Sequence, residues 1–343
     1  MLDDENVVKQ LDRSDALSLA AETPQQLLHN FHVEKISPTA PINNVVYSGM
    51  GGSALQAELA SIFPALDVPF VIVKNYNLPA FVNENTLVIA GSYSGNTEET
   101  LSALAEARQK GAMIAILTGG GTLLEEAKQH GDAYVEIPKA VQPRMAVFYA
   151  YRALVELFVA YGLVGEGVLD ELEAAGKHLQ DSVVQWRMST PLEENPAKQL
   201  ALQLAGKTPI VYAGPKMAPA AYKWKISFNE SSKNTAWHNV LPEFNHNEFL
   251  GWTSHPIEKP FAVLDLVSNF EHPRILRRFE VGDRILSGMR PKATRVEAQG
   301  ETELEHLLYL VLFGDFVSLY LGILNGVDPS PVTLIERFKE ELG

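Results

Sequence analysis

The chain contains no cysteine, which removes disulfides, thiolate nucleophiles and cysteine-ligated metals from consideration. It is also short of positive charge. Twenty-eight Lys and Arg face 42 Asp and Glu, for a formal net charge of −14. A broad nucleic-acid or anionic-membrane surface needs the opposite sign, so neither partner is expected. Any anion bound here must meet a few oriented donors rather than a basic field. The opening Met1-Leu2-Asp3-Asp4-Glu5 is acidic and has no apolar stretch behind it. No secretory signal is expected, and a cytoplasmic location is the default. Only one long hydrophobic run occurs, His306 to Leu324, and Asp315 stands in its middle. A transmembrane helix would lose roughly 2.5–3.5 kcal/mol to that charge, so the run reads as a buried core helix.

What is present is a globular composition, 46% hydrophobic and 20% charged over 343 residues, enough for two domains. The first half alternates strand and helix. Short apolar runs at Val45–Ser48, Phe70–Val73, Leu87–Ala90, Met113–Leu117 and Tyr134–Ile137 read as strands. Helical patterns lie between them at Ala54–Phe63, Glu98–Lys110 and Leu123–His130, and a long apolar helix follows at Arg144–Tyr161. This is the pattern of an α/β fold, a doubly wound parallel sheet covered on both faces. The second half is a weaker echo: Ile210-Val211-Tyr212-Ala213-Gly214 resembles Val45-Val46-Tyr47-Ser48-Gly49, with further strands at Phe261–Val267 and Thr294–Ala298. Two pseudo-duplicated units are expected, an N-terminal domain over 1–164 and a C-terminal domain over 195–343, joined by a helical linker over 165–194.

Two strand-to-helix turns in the first unit make a place for an anion. Gly49-Met50-Gly51-Gly52-Ser53 follows the first strand, and Ser92-Tyr93-Ser94-Gly95-Asn96-Thr97 follows the third. Glycines let the backbone approach closely, while N–H groups and hydroxyls at a helix start supply donors. Ligands of such sheets sit beyond the carboxyl ends of the strands, where both turns fall. Thr97 is placed as an N-cap, with Glu98 and Glu99 behind it in the first turn, where they suit the helix dipole but must point away from a phosphate. The second unit has Pro215-Lys216-Met217 and Val267-Ser268-Asn269 instead, so one copy holds the anion and the other completes the cleft.

These turns resemble the sugar isomerase (SIS) domain. Arg144 after Pro143, Asn229-Glu230, Asn245-His246-Asn247-Glu248 and Asp328-Pro329-Ser330-Pro331-Val332 followed by Ile335 and Lys339 continue the likeness. Together they resemble the bifunctional phosphoglucose/phosphomannose isomerase family over about residues 40–343. The resemblance implies that Gly51, Gly52, Ser53, Ser92, Ser94 and Thr97 bind the sugar phosphate. It implies that Glu230 is the base moving a proton between C1 and C2, and that Arg144 stabilises the enediolate. His246 would open the sugar ring, in relatives often from the neighbouring subunit, and Lys339 would assist at the sugar oxygens. The implied activity interconverts fructose 6-phosphate with glucose 6-phosphate, in a homodimer serving carbohydrate metabolism; mannose 6-phosphate is left open. Ser330, where relatives often read Thr, and Ser231-Ser232-Lys233, where Asn-Ala-Lys is expected, bear on the choice of sugar.

The residue types suit that chemistry on their own terms. A carboxylate can move a proton next to a carbonyl, worth typically 10²–10⁴-fold. An oxyanion wants a fixed cation, which Arg supplies. Opening a hemiacetal wants a group that both accepts and donates near neutral pH, which His is. No cofactor and no metal is required. Each residue also has a plainer reading: Glu230 as a solvated helix position, Lys339 paired with Glu336, Arg144 bridging to a carbonyl or core carboxylate. His238, Glu243, His246, Glu248 and His255 cluster in sequence but lack a metal-binding helical spacing. The alternative functions are a catalytically silent sugar-phosphate sensor and an amino-sugar enzyme.

Overall fold

The computed structural model describes residues 1–36, 38–138, 142–253 and 260–342. The chain forms two compact units, Thr23–Lys177 and Met1–Glu22 with His178–Gly343. Residues 1–22, which form α1 (Glu5–Leu11) and α2 (Ala16–Glu22), therefore group with the C-terminal unit and not with the N-terminal domain expected over 1–164. The reason is a buried charge. Lys198 is fully buried, and its ammonium donates to Asp3 Oδ1 at 2.7 Å and to the carbonyls of Met188 and Thr190 at 2.8 Å each. The hydrogen bond from Lys198 holds the Asp3 carboxyl below the usual carboxylate range.

In the Thr23–Lys177 unit, β1 (Asn44–Ser48), β2 (Phe70–Val73), β3 (Thr86–Ser92), β4 (Met113–Thr118) and β5 (Ala133–Glu136) form one parallel sheet in the order β2-β1-β3-β4-β5. Side chains on both sides of β1 and β3 are buried, Val45 and Val46 and then Leu87, Val88 and Ile89 being fully enclosed. Both faces of the sheet are covered, which is why these strands read as continuous apolar runs. On one face Val88, Ala90 and Ile116 pack with Ala103, Leu104 and Ala107 of α4 (Glu98–Gln109) and with Leu123 and Ala127 of α5 (Gly121–His130); α3 (Leu55–Ala60) packs against α6 (Val147–Ala160). Helices α3 and α6 begin later than the periodicity suggests. Each is preceded by a 3₁₀ turn, Gly51–Ala54 and Pro143–Met145, and those turns carry candidate site residues. Helix α7 (Gly167–Val184) stands where the helical linker is expected, and the boundary between the units falls within it.

In the other unit, α8 (Pro196–Leu204) precedes β6 (Thr208–Ala213), α9 (Ala218–Glu230), β7 (Trp237–Val240), α10 (Glu248–Gly251), β8 (Phe261–Val267), α11 (Pro273–Ile285), β9 (Thr294–Glu297), α12 (Glu303–Leu324) and α13 (Thr333–Leu342). The sheet is parallel in the order β7-β6-β8-β9. That order repeats β2-β1-β3-β4 of the first sheet, as the sequence echo predicts. The long apolar run is α12, a core helix packed on α8 and α9 and buried along nearly its whole length. A capping box of Thr302 and Glu305 starts it.

Asp315 is explained by what it meets. It accepts from the Lys223 ammonium of α9 and, at 2.8 Å, from the Ser227 hydroxyl. Beside it a side chain at Gly314 would overlap the Trp224 indole, whose Nε1 donates to the Leu310 carbonyl at 2.7 Å. Asp315→Ala leaves the Lys223 charge buried without its carboxylate. We expect a loss of about 3–5 kcal/mol, read as a lowered denaturant midpoint for the C-terminal unit.

Candidate active site

The two turns of the Thr23–Lys177 unit are brought together, and they form the candidate anion cradle. Ser92 Oγ lies 2.7 Å from Thr97 Oγ1 and 3.4 Å from Ser94 Oγ. Ser53 Oγ accepts from the Tyr93 N–H at 3.0 Å, which ties the first turn to the second. Thr97 occupies the N-cap position of α4, yet its side chain makes no capping bond; its hydroxyl is turned to Ser92 instead. Gly95 has φ of +71°, and a side chain there would overlap the Gly120 carbonyl. Asn96 Oδ1 accepts from Thr122 N and Oγ1 at 2.9 and 3.0 Å, fastening the turn to the start of α5. Gly51 has φ of +49°, and a Cβ on Gly52 would lie 3.4 Å from Arg144 N. The structure therefore brings Arg144, which is buried, to the glycine turn.

Three supports of the cradle escape sequence reasoning. The buried Tyr47 hydroxyl donates to the Ser53 carbonyl at 2.8 Å, and Gln56 Nε2 bonds to both that hydroxyl and that carbonyl. Gly91 leaves room for the Tyr47 ring. Burial pushes the Tyr47 hydroxyl up, so it stays a neutral donor. The available signal was a tyrosine at the buried end of a strand, whose hydroxyl must find a partner.

The other candidates lie in the C-terminal unit. Glu230 is the last residue of α9 and lines a cavity of about 540 Å³ with Asn229, Lys233 and residues 331–335. Lys233, with φ of +54°, donates to the carbonyls of Glu230 (2.5 Å), Pro329 (3.3 Å) and Pro331 (2.8 Å). It straps the Asp328–Val332 segment to the end of α9. Ser231, Ser232 and Ser330 are buried. Lys339 is exposed on α13, and among the described residues it forms no ion pair with Glu336. His246 is exposed at the end of a 3₁₀ turn. His255 lies outside the described residues, and among those described no three His, Asp or Glu side chains converge as a metal would require.

The second copy of the anion turn is filled by its own chain. Glu271 follows β8, is buried, and accepts from Lys216 N at 2.9 Å and Met217 N at 3.2 Å ahead of α9. A side chain at Gly214 would overlap that carboxyl. Burial raises its pKa, opposed by these two N–H bonds. A carboxylate thus stands where the first copy keeps an open turn.

Two parallel sheets of repeated order, one with an open hydroxyl-lined turn, define a protein of two SIS-type domains. Residues 41–161 match the model described as SIS domain, and residues 193–342 that of the bacterial phospho-glucose isomerase C-terminal SIS domain. The fold is shared with a glucose-6-phosphate isomerase like protein from Thermus thermophilus, at a TM-score of 0.66 and 20% identity over 97% of this chain and 99% of that one. The chain is 39% identical over 306 residues to the bifunctional phosphoglucose/phosphomannose isomerase of Caldicellulosiruptor bescii, covering 88% of this chain and 90% of that protein. Its identity to the Aquifex aeolicus protein of that name is 36%, over 88% and 91%. The chain belongs to the bifunctional phosphoglucose/phosphomannose isomerase family. It is an isomerase, and the reading as a silent sensor gives way.

The C-terminal sheet carries one buried carboxyl among its described residues. Asp265 of β8 is 3% exposed, and burial pushes its pKa from 3.8 up to about 7, with the Arg290 charge opposing and Asp283 reinforcing. A carboxyl whose pKa rises on folding favours the fold while it is protonated. Stability is then lost as pH rises through the window from about 4 to about 7. Asp265→Asn keeps the shape without the charge. It should stabilise the protein by about 4 kcal/mol above pH 7, and by progressively less as pH falls toward about 4. Denaturant midpoints of parent and variant across that range check this.

Proposed function

We propose that this enzyme interconverts fructose 6-phosphate with glucose 6-phosphate and mannose 6-phosphate, by metal-independent proton transfer through a cis-enediol. The observation that carries the reading is the setting of Glu230: a carboxylate at a helix end, on a cavity large enough for a hexose, in a chain that also holds an open hydroxyl-lined anion turn. Near full-length similarity to relatives named for both activities supports it.

In this reading Gly51, Gly52, Ser53, Ser92, Ser94 and Thr97 hold the phosphate through N–H groups and hydroxyls. His246 passes a proton between the anomeric hydroxyl and the ring oxygen, opening the ring. Glu230 then removes the proton at C2 of an aldose and returns it at C1, or the reverse for the ketose. The charge that develops on the carbonyl oxygen is met by the Arg144 guanidinium, which stays protonated throughout, and Lys339 assists at the sugar oxygens. The enzyme works in the cytoplasm as a homodimer in which His246 serves the neighbouring subunit; the exposure of His246 supports that arrangement. The domains are read as 1–164 and 195–343 about a helical linker, with residues 1–22 reassigned by their contacts.

Fructose 6-phosphate incubated in D₂O with EDTA should yield glucose and mannose 6-phosphates carrying deuterium at C2, followed by NMR. Glu230→Gln should lower kcat by about 10²–10⁴-fold with KM little changed; near-full turnover would remove Glu230 as the base. Specific activity should fall on dilution below the dimer dissociation constant and return on concentration, and activity that is constant through dissociation would rule out a shared site.

A further inference from the structure

The segment carrying His246 is held from behind by a carboxylate that none of the assigned roles uses. In the C-terminal sheet, Asn239 of β7 and Tyr212 of β6 are register partners, so their side chains stand side by side on one face. Glu248, two residues after His246, spans them. Tyr212 donates its hydroxyl proton to Oε1, and Asn239 Nδ2 donates to Oε2 at 2.6 Å. Both donors are oriented. The Tyr212 hydroxyl accepts from Trp252 Nε1 at 3.2 Å, and Asn239 Oδ1 accepts from Val240 N at 2.7 Å. The Tyr212 ring is 1% exposed, and burial, then the Glu248 carboxylate, pushes its hydroxyl far above the ordinary value. It therefore remains a donor over the working pH range.

The other side of the segment is held as well. Phe244 is buried against Tyr212 with ring centroids 4.5 Å apart, and Arg278 Nη1 donates to Asn245 Oδ1 at 3.0 Å. His246 stands exposed between these two anchors, next to Asn247, which is also exposed and whose side chain caps Glu248 N at 2.6 Å.

We propose that Tyr212, Asn239 and Glu248 form a clamp that positions the His246 imidazole for opening the sugar ring. These are positioning residues that touch no substrate, and the proposal rests on the reading of His246 given above. A bidentate carboxylate between two oriented donors fixes the Glu248 backbone, and through Asn247 the direction of His246. Loss of one donor leaves the fold but frees the segment.

The test uses Tyr212→Phe and Glu248→Gln in the full chain beside His246→Ala, with two substrates. One is fructose 6-phosphate, which is mostly cyclic. The other is its analogue lacking the 5-hydroxyl, which cannot close a furanose ring and needs no opening. With the cyclic substrate, all three variants should lose roughly tenfold to a hundredfold in kcat. With the open-chain analogue, exchange of the C1 proton with D₂O should stay within about twofold of the parent. Equal losses on both substrates would mean general distortion and would overturn the clamp. So would unchanged turnover of the cyclic sugar in Tyr212→Phe and Glu248→Gln while His246→Ala fails. If His246→Ala itself retains full turnover of the cyclic sugar, the assignment of His246 falls, and the clamp loses its catalytic purpose. An independent readout separates the two failures: the His246 ring-proton resonances, assigned by their loss in His246→Ala, shift in Tyr212→Phe if the clamp sets the segment. An unshifted resonance overturns the clamp whatever the turnover.

Discussion

The C-terminal unit depends on one buried ion pair. Lys223 of α9 and Asp315 of α12 meet inside an interface that is otherwise largely apolar, with the Ser227 hydroxyl completing the group. Replacing such a pair by well-packed hydrophobic residues is often neutral or favourable, so the pair is weak evidence for extra stability. What it supplies is direction. Apolar helices can rotate and slide against each other at small cost, whereas a carboxylate that must meet one ammonium admits one register. The Trp224 indole seated at Gly314 acts in the same sense, since only glycine leaves room there. Lys223, Ser227 and Glu230 stand at i, i+4 and i+7, one stripe of the same helix. The contact that registers α9 thus also aims its last turn, where Glu230 meets the cavity.

The duplication shows how one strand end acquires two uses. Tyr47 and Tyr212 occupy the same place in β1 and β6, each two residues before a glycine. Each buried hydroxyl needs a partner, because an unpaired one costs about 1–3 kcal/mol. In the first unit the partners are the Ser53 carbonyl and Gln56, so the hydroxyl shapes the anion turn. In the second unit the anion turn is taken by Glu271, and the hydroxyl is directed to Glu248. One constraint common to both copies, satisfying a tyrosine at the end of a strand, is met at the Gly51–Ala54 turn in one and at Glu248 in the other.

Much of the fold was legible because its sheets are buried on both faces. Strands such as β3 and β8 are then nearly continuous apolar runs, and the run at Phe261–Val267 matches its strand from end to end. Strand β7 leaves no mark in the sequence. It is an edge strand of four residues, Trp237-His238-Asn239-Val240, exposed or half-buried throughout, so neither composition nor alternation marks it. The placement of residues 1–22 was hidden for a different reason: Asp3 and Lys198 are far apart in sequence, and nothing local announces a lysine that will be fully buried. The same limit applies at the site. The serines, glycines and Thr97 declare themselves by composition within one turn, while Tyr212, Asn239 and Glu248 become neighbours only through the register of a strand that the sequence does not advertise.

On the proposed function an acidic protein receives a doubly charged anion, and its electrostatics must then be solved locally. Charges more than about 8–10 Å apart are largely screened at physiological salt, so the net charge of −14 matters less than the carboxylates nearest the turn. Glu98 is the closest in sequence to Thr97, and its Oε2 accepts from the Tyr76 hydroxyl at 3.4 Å on the exposed side of α4. Glu106, further along the same helix, is engaged by the Leu78 N–H at 2.9 Å and held below its ordinary pKa by it. The helix keeps the benefit of acidic residues in its first turn, opposite its own dipole, while the hydroxyls of Ser94 and Thr97 both lie within hydrogen-bond reach of Ser92. Neutral donors and oriented N–H groups tolerate a negative surrounding that a cluster of lysines would be needed to overcome. The acidic side chains of α4 and the hydroxyls and N–H groups of the turn are therefore different atoms, and a change in surface charge need not alter the turn.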